Sequence, residues 1–216
     1  MEGNNKEGMS PPALAQERLR EGNRRFVASR NKDRDLMTEV KATAGGQTPF
    51  ATILHCIDSR VSAELIFDQG VGDLFSVRVA GNIINQDILG SLEFANIAST
   101  SKIIVVMGHT SCGAVGAACN HARFDDMVNL NKLIRMIEPA VTAVTEPIEQ
   151  GERNSGNTDF LNRVARKNVE LTVKNLKNES RALALRAEDP SQLKIVGAMY
   201  DVSTGVVEFF NDEENS

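Results

Sequence analysis

Residues 102–113 read Lys102-Ile103-Ile104-Val105-Val106-Met107-Gly108-His109-Thr110-Ser111-Cys112-Gly113. From Lys102 to Met107 the run is apolar behind one lysine and does not alternate. A strand with one wet face would alternate, so this one is expected to be buried on both faces, as strands of a parallel sheet are. Working outward, Phe50 to Ile57 and Leu74 to Val79 are two further apolar runs of strand length. Helical stretches alternate with them: Ser62 to Gln69, stopped by Gly70, then Gln86 to Ala98, with Ile88, Leu89, Leu92 and Ile97 roughly on one side. Another helix begins near Gly113. Strand, helix, strand, helix, strand implies a parallel sheet with right-handed crossovers.

The flanks complete the pattern. Pro11 and Pro12 open a helix from about Ala13 to Ala28, and a shorter one spans Asp35 to Thr43 before Gly45 and Gly46. Met127 to Ile148 and Thr158 to Leu185 are mainly helical, parted by a polar loop from Gly151 to Asn157. Leu193 to Tyr200 and Val206 to Phe210 flank Ser203-Thr204-Gly205 as a hairpin that extends the sheet. The expected class is α/β: a mostly parallel central β-sheet flanked by helices, with an N-terminal helical arm and a C-terminal antiparallel strand extension. Residues 1–11 are expected to be disordered and residues 12–212 to form a single domain, since no repeat or linker divides them.

The chain has 216 residues, with 24 Lys and Arg against 29 Asp and Glu. A net charge of -5 gives no electrostatic reason to bind nucleic acid or an anionic membrane. There is no apolar run of about eighteen residues to span a bilayer. Met1 to Pro12 is polar and unlike a secretory signal, so a cytoplasmic location is expected. Three cysteines, Cys56, Cys112 and Cys119, are too few for a disulfide framework and suit a reducing compartment.

Chemistry gathers in two segments, Cys56-Ile57-Asp58-Ser59-Arg60 after the first strand and His109-Thr110-Ser111-Cys112 after the third. In an open parallel sheet, ligands collect beyond the carboxyl ends of the strands. Cys56, His109 and Cys112 would therefore meet. Two thiolates and an imidazole are a zinc donor set, and three protein ligands leave the fourth position open, as in catalytic sites. Two thiolates neutralise the formal charge of the metal and blunt its acidity, so neighbouring groups must help. Asp58 paired with Arg60 would supply an ionised, oriented carboxylate. Taken singly, each of these residues has a bland reading as a core thiol, a satisfied histidine or a loop brace. Jointly they are improbable as coincidence. A structural zinc site would need a fourth ligand. Cys119 and His121 lie on or beyond the following helix and are read as packing or surface residues.

These residues, with Glu64-Leu65-Ile66-Phe67-Asp68-Gln69-Gly70 and Val77-Arg78-Val79-Ala80-Gly81-Asn82 between them, resemble the β-class carbonic anhydrases, continuously from about Gln47 to Ala118. The resemblance implies one Zn2+ per subunit on Cys56, His109 and Cys112, with Asp58 and Arg60 as a catalytic dyad. It implies reversible hydration of carbon dioxide to bicarbonate and a proton through a zinc-bound hydroxide. It also implies a homodimer, or a tetramer or larger, with active sites at the dimer interface and N-terminal helices wrapped on the partner.

On the same resemblance Gln47, nine residues before Cys56, hydrogen-bonds the substrate, with Phe75 and Phe94 as pocket aromatics. Carbon dioxide would sit among Phe75, Val79, Ala80 and Gly113. A second group in the family has tryptophan where this chain has Ile53, and uses it in an inhibitory bicarbonate site. Arg78 and Tyr200 match other parts of that site. His55 departs from the small residue usual before the first thiolate and is read as packing. Two alternatives keep the ligand set: a carbonyl sulfide or carbon disulfide hydrolase, and a non-catalytic zinc-stabilised interaction module.

Overall fold

Described by a computed structural model over residues 9, 11–147 and 149–210, the chain is built on a five-stranded sheet of order β2-β1-β3-β4-β5. The strands are β1 (Ala51–His55), β2 (Leu74–Arg78), β3 (Ile103–His109), β4 (Lys194–Tyr200) and β5 (Val207–Phe209). β1 pairs in parallel with β2 and β3, and β3 pairs in parallel with β4. β5 runs antiparallel to β4. The expected α/β class and its antiparallel extension are thus observed.

β1 and β3 are buried from end to end, which is why both read as unbroken apolar runs. Their side chains alternate between two cores, one on each face of the sheet. Leu54, Ile104, Val106, Ile195 and Met199 enter one core. Ile53, Ile103, Val105, Met107, Val196 and Ala198 enter the other. Each such fully buried Ile or Leu is worth about 1.5–3 kcal/mol over exposure. Residues of α5 (Gly113–Cys119), α6 (Val128–Ala143), α7 (Thr158–Glu179) and α8 (Arg181–Ala187) complete the first core, and residues of α1 (Pro11–Val27) and α3 (Ala63–Ile66) the second. No helix among the described residues is long and apolar enough to cross a membrane.

Several boundaries differ from the sequence expectation: the helix expected over 127–148 ends at Ala143, with residue 148 outside the described residues, and the one over 62–69 is Ala63–Ile66. β3 continues through His109, so that histidine is the last residue of the strand rather than a loop residue. The helix expected over 86–98 is α4 (Gln86–Glu93) followed by a wider π turn at Phe94–Ala98. There the buried Asn96 amide donates to the Leu92 carbonyl at 2.8 Å, the acceptor an α-helix reserves for the backbone N–H of residue 96. The helix over 158–185 is cut at Ser180, whose extended backbone caps α8 while its hydroxyl donates to Glu93 Oε1 at 2.6 Å. The segment 1–11 lies outside the described residues except for Met9 and Pro11, and Pro11 opens α1.

Within the chain α1 lies on its own sheet. Asn23 Nδ2 donates to the carbonyls of Ile66 and Gly205 at 3.1 and 2.8 Å, and its Oδ1 accepts from Val207 N at 2.9 Å. The segment after α1 is tied down by Asp68, a buried carboxylate with left-handed backbone (φ 46). It accepts from Arg25 Nε and from Lys32 N, while Arg34 Nη2 donates to the Asp68 carbonyl at 2.7 Å. α2 (Leu36–Thr43) buries no residue and leaves Leu36, Met37 and Val40 exposed.

Candidate metal centre

β1 and β3 lie side by side in register, His55 opposite Met107, and run the same way, so their carboxyl ends share one edge of the sheet. Cys56 is the first residue past β1, His109 is the last of β3, and Cys112 is the N-cap of α5. Their ligand atoms all lie within 4.8 Å of one another, and all three residues are buried. The turn that returns Cys112 to the cluster is pinned three ways. Thr110 N donates to the Tyr200 carbonyl at 3.0 Å, and Thr110 Oγ1 accepts from Val202 N at 3.0 Å. Ser111, left-handed at φ 56, donates its N–H to Asn162 Oδ1 at 3.0 Å.

Two observations test whether a metal fits. His109 Nδ1 sits 3.0 Å from the Thr110 carbonyl, which can only accept, so Nδ1 carries the proton and Nε2 presents a bare lone pair. That Nε2 is buried and has no hydrogen-bond partner, a costly state unless something accepts its electrons. The sulfurs give the second observation. The adjacent Cys112 thiol holds the Cys56 thiol below its ordinary value against the cost of burial, helped by the Gly81 N–H, which donates to its Sγ at 3.4 Å. The same contact, then burial, pushes Cys112 up. Two thiolates this close do not ionise together unless a cation compensates them. Two sulfurs and an imidazole nitrogen are the donors zinc prefers, so the residues fit zinc.

Beside the cluster, Asp58 and Arg60 form a closed pair. Asp58 Oδ1 accepts from Arg60 N and Nε at 3.0 and 2.9 Å, and Oδ2 accepts from Arg60 Nη2 at 2.8 Å. These bonds hold the Asp58 carboxyl well below the usual carboxylate range. Arg78 steadies the loop from outside: its Nε donates to the Cys56 carbonyl at 3.1 Å and its Nη2 to the Asp58 carbonyl at 2.8 Å.

Known proteins resemble this chain along most of its length. Residues 51–207 match a family described as Carbonic anhydrase. Carbonic anhydrase 2 of Mycobacterium tuberculosis is 40% identical over 198 residues, covering 90% of each chain. The carbonic anhydrase of Mycolicibacterium smegmatis is 36% identical over 200 residues, covering 92% of this chain and 93% of that one. The solved structure of the β-carbonic anhydrase CcaA superposes with a TM-score of 0.72 at 27% identity, over 93% of this chain and 97% of that one. The chain belongs to the β-carbonic anhydrases. It is a lyase of that family.

Of the other residues expected in this carbonic anhydrase's pocket, Gln47, Phe75 and Phe94 are not gathered at the metal donors. Phe75 pairs with Thr52, four residues before Cys56, so it lies about 13 Å back along the sheet at ~3.3 Å per residue. Phe75 and Phe94 meet edge to face, ring centroids 6.2 Å apart, in a cavity of about 710 Å³ at the β2 edge. None of the three metal donors lines that cavity. Gln47 is on the exposed loop before β1. Val79, Ala80 and Gly113 do lie at the strand ends: Val79 N donates to the His55 carbonyl at 3.1 Å, and Gly113 follows Cys112. His55 is buried, with Nδ1 on the Cys56 carbonyl at 3.1 Å and Nε2 on Ser76 Oγ at 2.8 Å. Burial, then the Arg78 charge, pulls its pKa down to about 4. Cys119 is buried away from the cluster, its thiol raised to about 11 by that burial.

Sequence reasoning missed the groups that hold the ligands in place. Arg78, read only as part of an inhibitory site, clamps the first ligand loop. Asn162 fixes the second. Neither spacing nor periodicity marks Asn162; a polar residue on a helix facing a strand end is the one available hint.

Proposed function

We propose that Cys56, His109 and Cys112 hold one zinc ion per chain, and that the enzyme hydrates carbon dioxide reversibly to bicarbonate and a proton with Asp58 and Arg60 as its catalytic dyad. The observation that carries this is the buried, unpartnered Nε2 of His109 within 4.8 Å of two sulfurs. Zinc would supply Lewis acidity, drawing a water's pKa toward neutrality so that hydroxide is available for attack on carbon.

The chain's own residues do the rest. Asp58 is ionised at any working pH, so it acts as an acceptor and not as a proton donor. Its Oδ1 already takes two donors from Arg60, whereas Oδ2 takes one. Oδ2 therefore keeps the lone pair that accepts the O–H of the attacking group and sets its direction. Arg60 fixes the carboxylate plane by a two-pronged contact. Arg78, holding the carbonyls of Cys56 and Asp58 together, keeps ligand and acceptor in one rigid piece.

The working unit is a homodimer or a multiple of it. Among the described residues β2 is an edge strand with no partner on its outer side, and its cavity exposes Phe94 to 60%. An open edge with large apolar groups calls for a cover. A second copy laid on it would bring Gln47, Phe75 and Phe94 to the other copy's metal centre, where the same chain leaves them remote. Three free cysteines, two of them ligands, suit a reducing compartment such as the cytoplasm.

Stopped-flow carbon dioxide hydration, read with a pH indicator on protein of measured zinc content, tests the proposal. Activity is expected to scale with bound zinc and to vanish in chelator-treated protein. Full zinc with no acceleration over buffer would sink it.

A further inference from the structure

Asn168 sits midway along α7, 4% exposed, between Ala165, Val169 and Thr172. An amide in such surroundings must be paired or it destabilises the fold. Its Nδ2 donates to the Gly81 carbonyl at 2.8 Å, a contact between residues 87 apart in sequence. The N–H of the same Gly81 donates to Cys56 Sγ at 3.4 Å. Gly81 has left-handed backbone (φ 69, ψ 18), and a Cβ there would stand 2.6 Å from Ile137 Cδ1, so any other residue would be strained and would have to displace Ile137. α7 reaches this point because two strand residues lack side chains. A Cβ on Gly108 would stand 2.6 Å from Val169 Cγ2, and one on Gly197 2.8 Å from Val169 Cγ1.

We infer that Asn168 is a positioning residue of the metal centre: it fixes Gly81 so that the Gly81 N–H donates to the Cys56 sulfur. This rests on the reading of Cys56 as a metal ligand. A hydrogen bond to a thiolate withdraws electron density that the sulfur would otherwise give to the metal, and outer partners of this kind tune metal sites generally. Here the need is specific. Two thiolates cancel the charge of a dication, and a donor on one of them restores part of the Lewis acidity that acidifies water. Asn168 reaches neither metal nor substrate; it acts through the Gly81 backbone.

The test reconstitutes the full-length protein with 113Cd and, separately, with Co2+. In the 113Cd protein, a scalar coupling between the metal and the Gly81 amide proton is expected, carried through the N–H···S bond. Asn168→Leu keeps the volume and removes the donor. It is expected to weaken or abolish that coupling, to move the sulfur-to-cobalt charge-transfer band to longer wavelength, and to shift the pH–rate profile of the zinc enzyme to the alkaline side. A merely structural amide would lower thermal stability and leave all three unchanged. No coupling in wild type that binds one metal per chain would overturn the inference alone, as would Asn168→Leu with coupling, band and profile intact. Failure of wild type to take up any metal would overturn the ligand assignment as well. If Asn168→Leu does not fold, Asn168→Ala is read by the same three signals.

Discussion

Arg60 grips the carboxylate of Asp58 at three points, through its backbone N–H, Nε and Nη2, all within 3.0 Å. The contact keeps Asp58 ionised and fixes the plane of its carboxylate. Asp58→Ala is expected to keep one zinc per chain and to lose about 100-fold or more of kcat. Arg60→Gln removes the guanidinium bonds but leaves the backbone N–H on Oδ1, so the carboxyl titrates higher than in wild type, toward the ordinary carboxylate value of about 3.9. At neutral pH the loss is therefore one of orientation, and an acid limb absent from wild type enters the rate profile at or below about pH 4. Zinc analysis with stopped-flow rates from pH 4 to 9 checks both variants; an unimpaired Asp58→Ala ends the dyad assignment.

Cys112 caps α5 and faces Cys56 in the cluster. Cys112→Ala is expected to lose metal and activity together, because the two remaining donors cannot complete the set zinc requires. Zinc content by atomic emission reads the outcome. A variant with stoichiometric zinc would mean that the ligand set is misassigned.

Phe94 is 60% exposed beside the unpaired β2 edge. Phe94→Arg is expected to dissociate the protein to monomers in sedimentation velocity, with zinc retained and activity reduced. A monomeric wild type of full activity would remove the role proposed for a second copy.

Asp68 holds Arg25 and the Lys32 N–H, and a pair this buried is costly to break. Burial alone would raise its carboxyl; the bonds from Arg25 and Lys32 outweigh that and lower it. A folded value below the unfolded one means that the stabilisation is complete above about pH 4 and is lost as pH falls further. Asp68→Asn is expected to cost about 2–3 kcal/mol at pH 7, less than a wholly buried pair because the arginines are partly wet. In thermal melts the gap from wild type should close below pH 4. A gap that persists there would show that packing, not charge, is the contribution of Asp68.

His55 has both ring nitrogens engaged, so no free nitrogen remains to carry protons. His55→Ala is expected to lower stability by about 1–3 kcal/mol and to leave turnover near wild type. A large fall in turnover that imidazole buffer restores would make it a proton carrier.

Much of this was legible in the chain because strand ends are local features. Cys56, Asp58 and Arg60 occupy one short segment, as do His109 and Cys112, and unbroken apolar runs announce the buried strands that deliver them. What stayed hidden depends on how the elements pack. That Asn96 would take the Leu92 carbonyl and widen a helical turn, or that Asn168 would reach Gly81, follows from packing and not from periodicity. The aromatic pair Phe75 and Phe94 shows another limit. Register alone moves Phe75 four residues from Cys56, and motif order contains no register.

The tips of β1 and β3 are neighbours in the sheet, yet residues 56 and 109 are far apart along an extended chain. A cation spanning them is a staple that only the native arrangement can accept, so its binding energy becomes folding energy. Melting temperature should climb with free zinc concentration, and a cell short of zinc would hold fewer intact copies of the protein as well as slower ones.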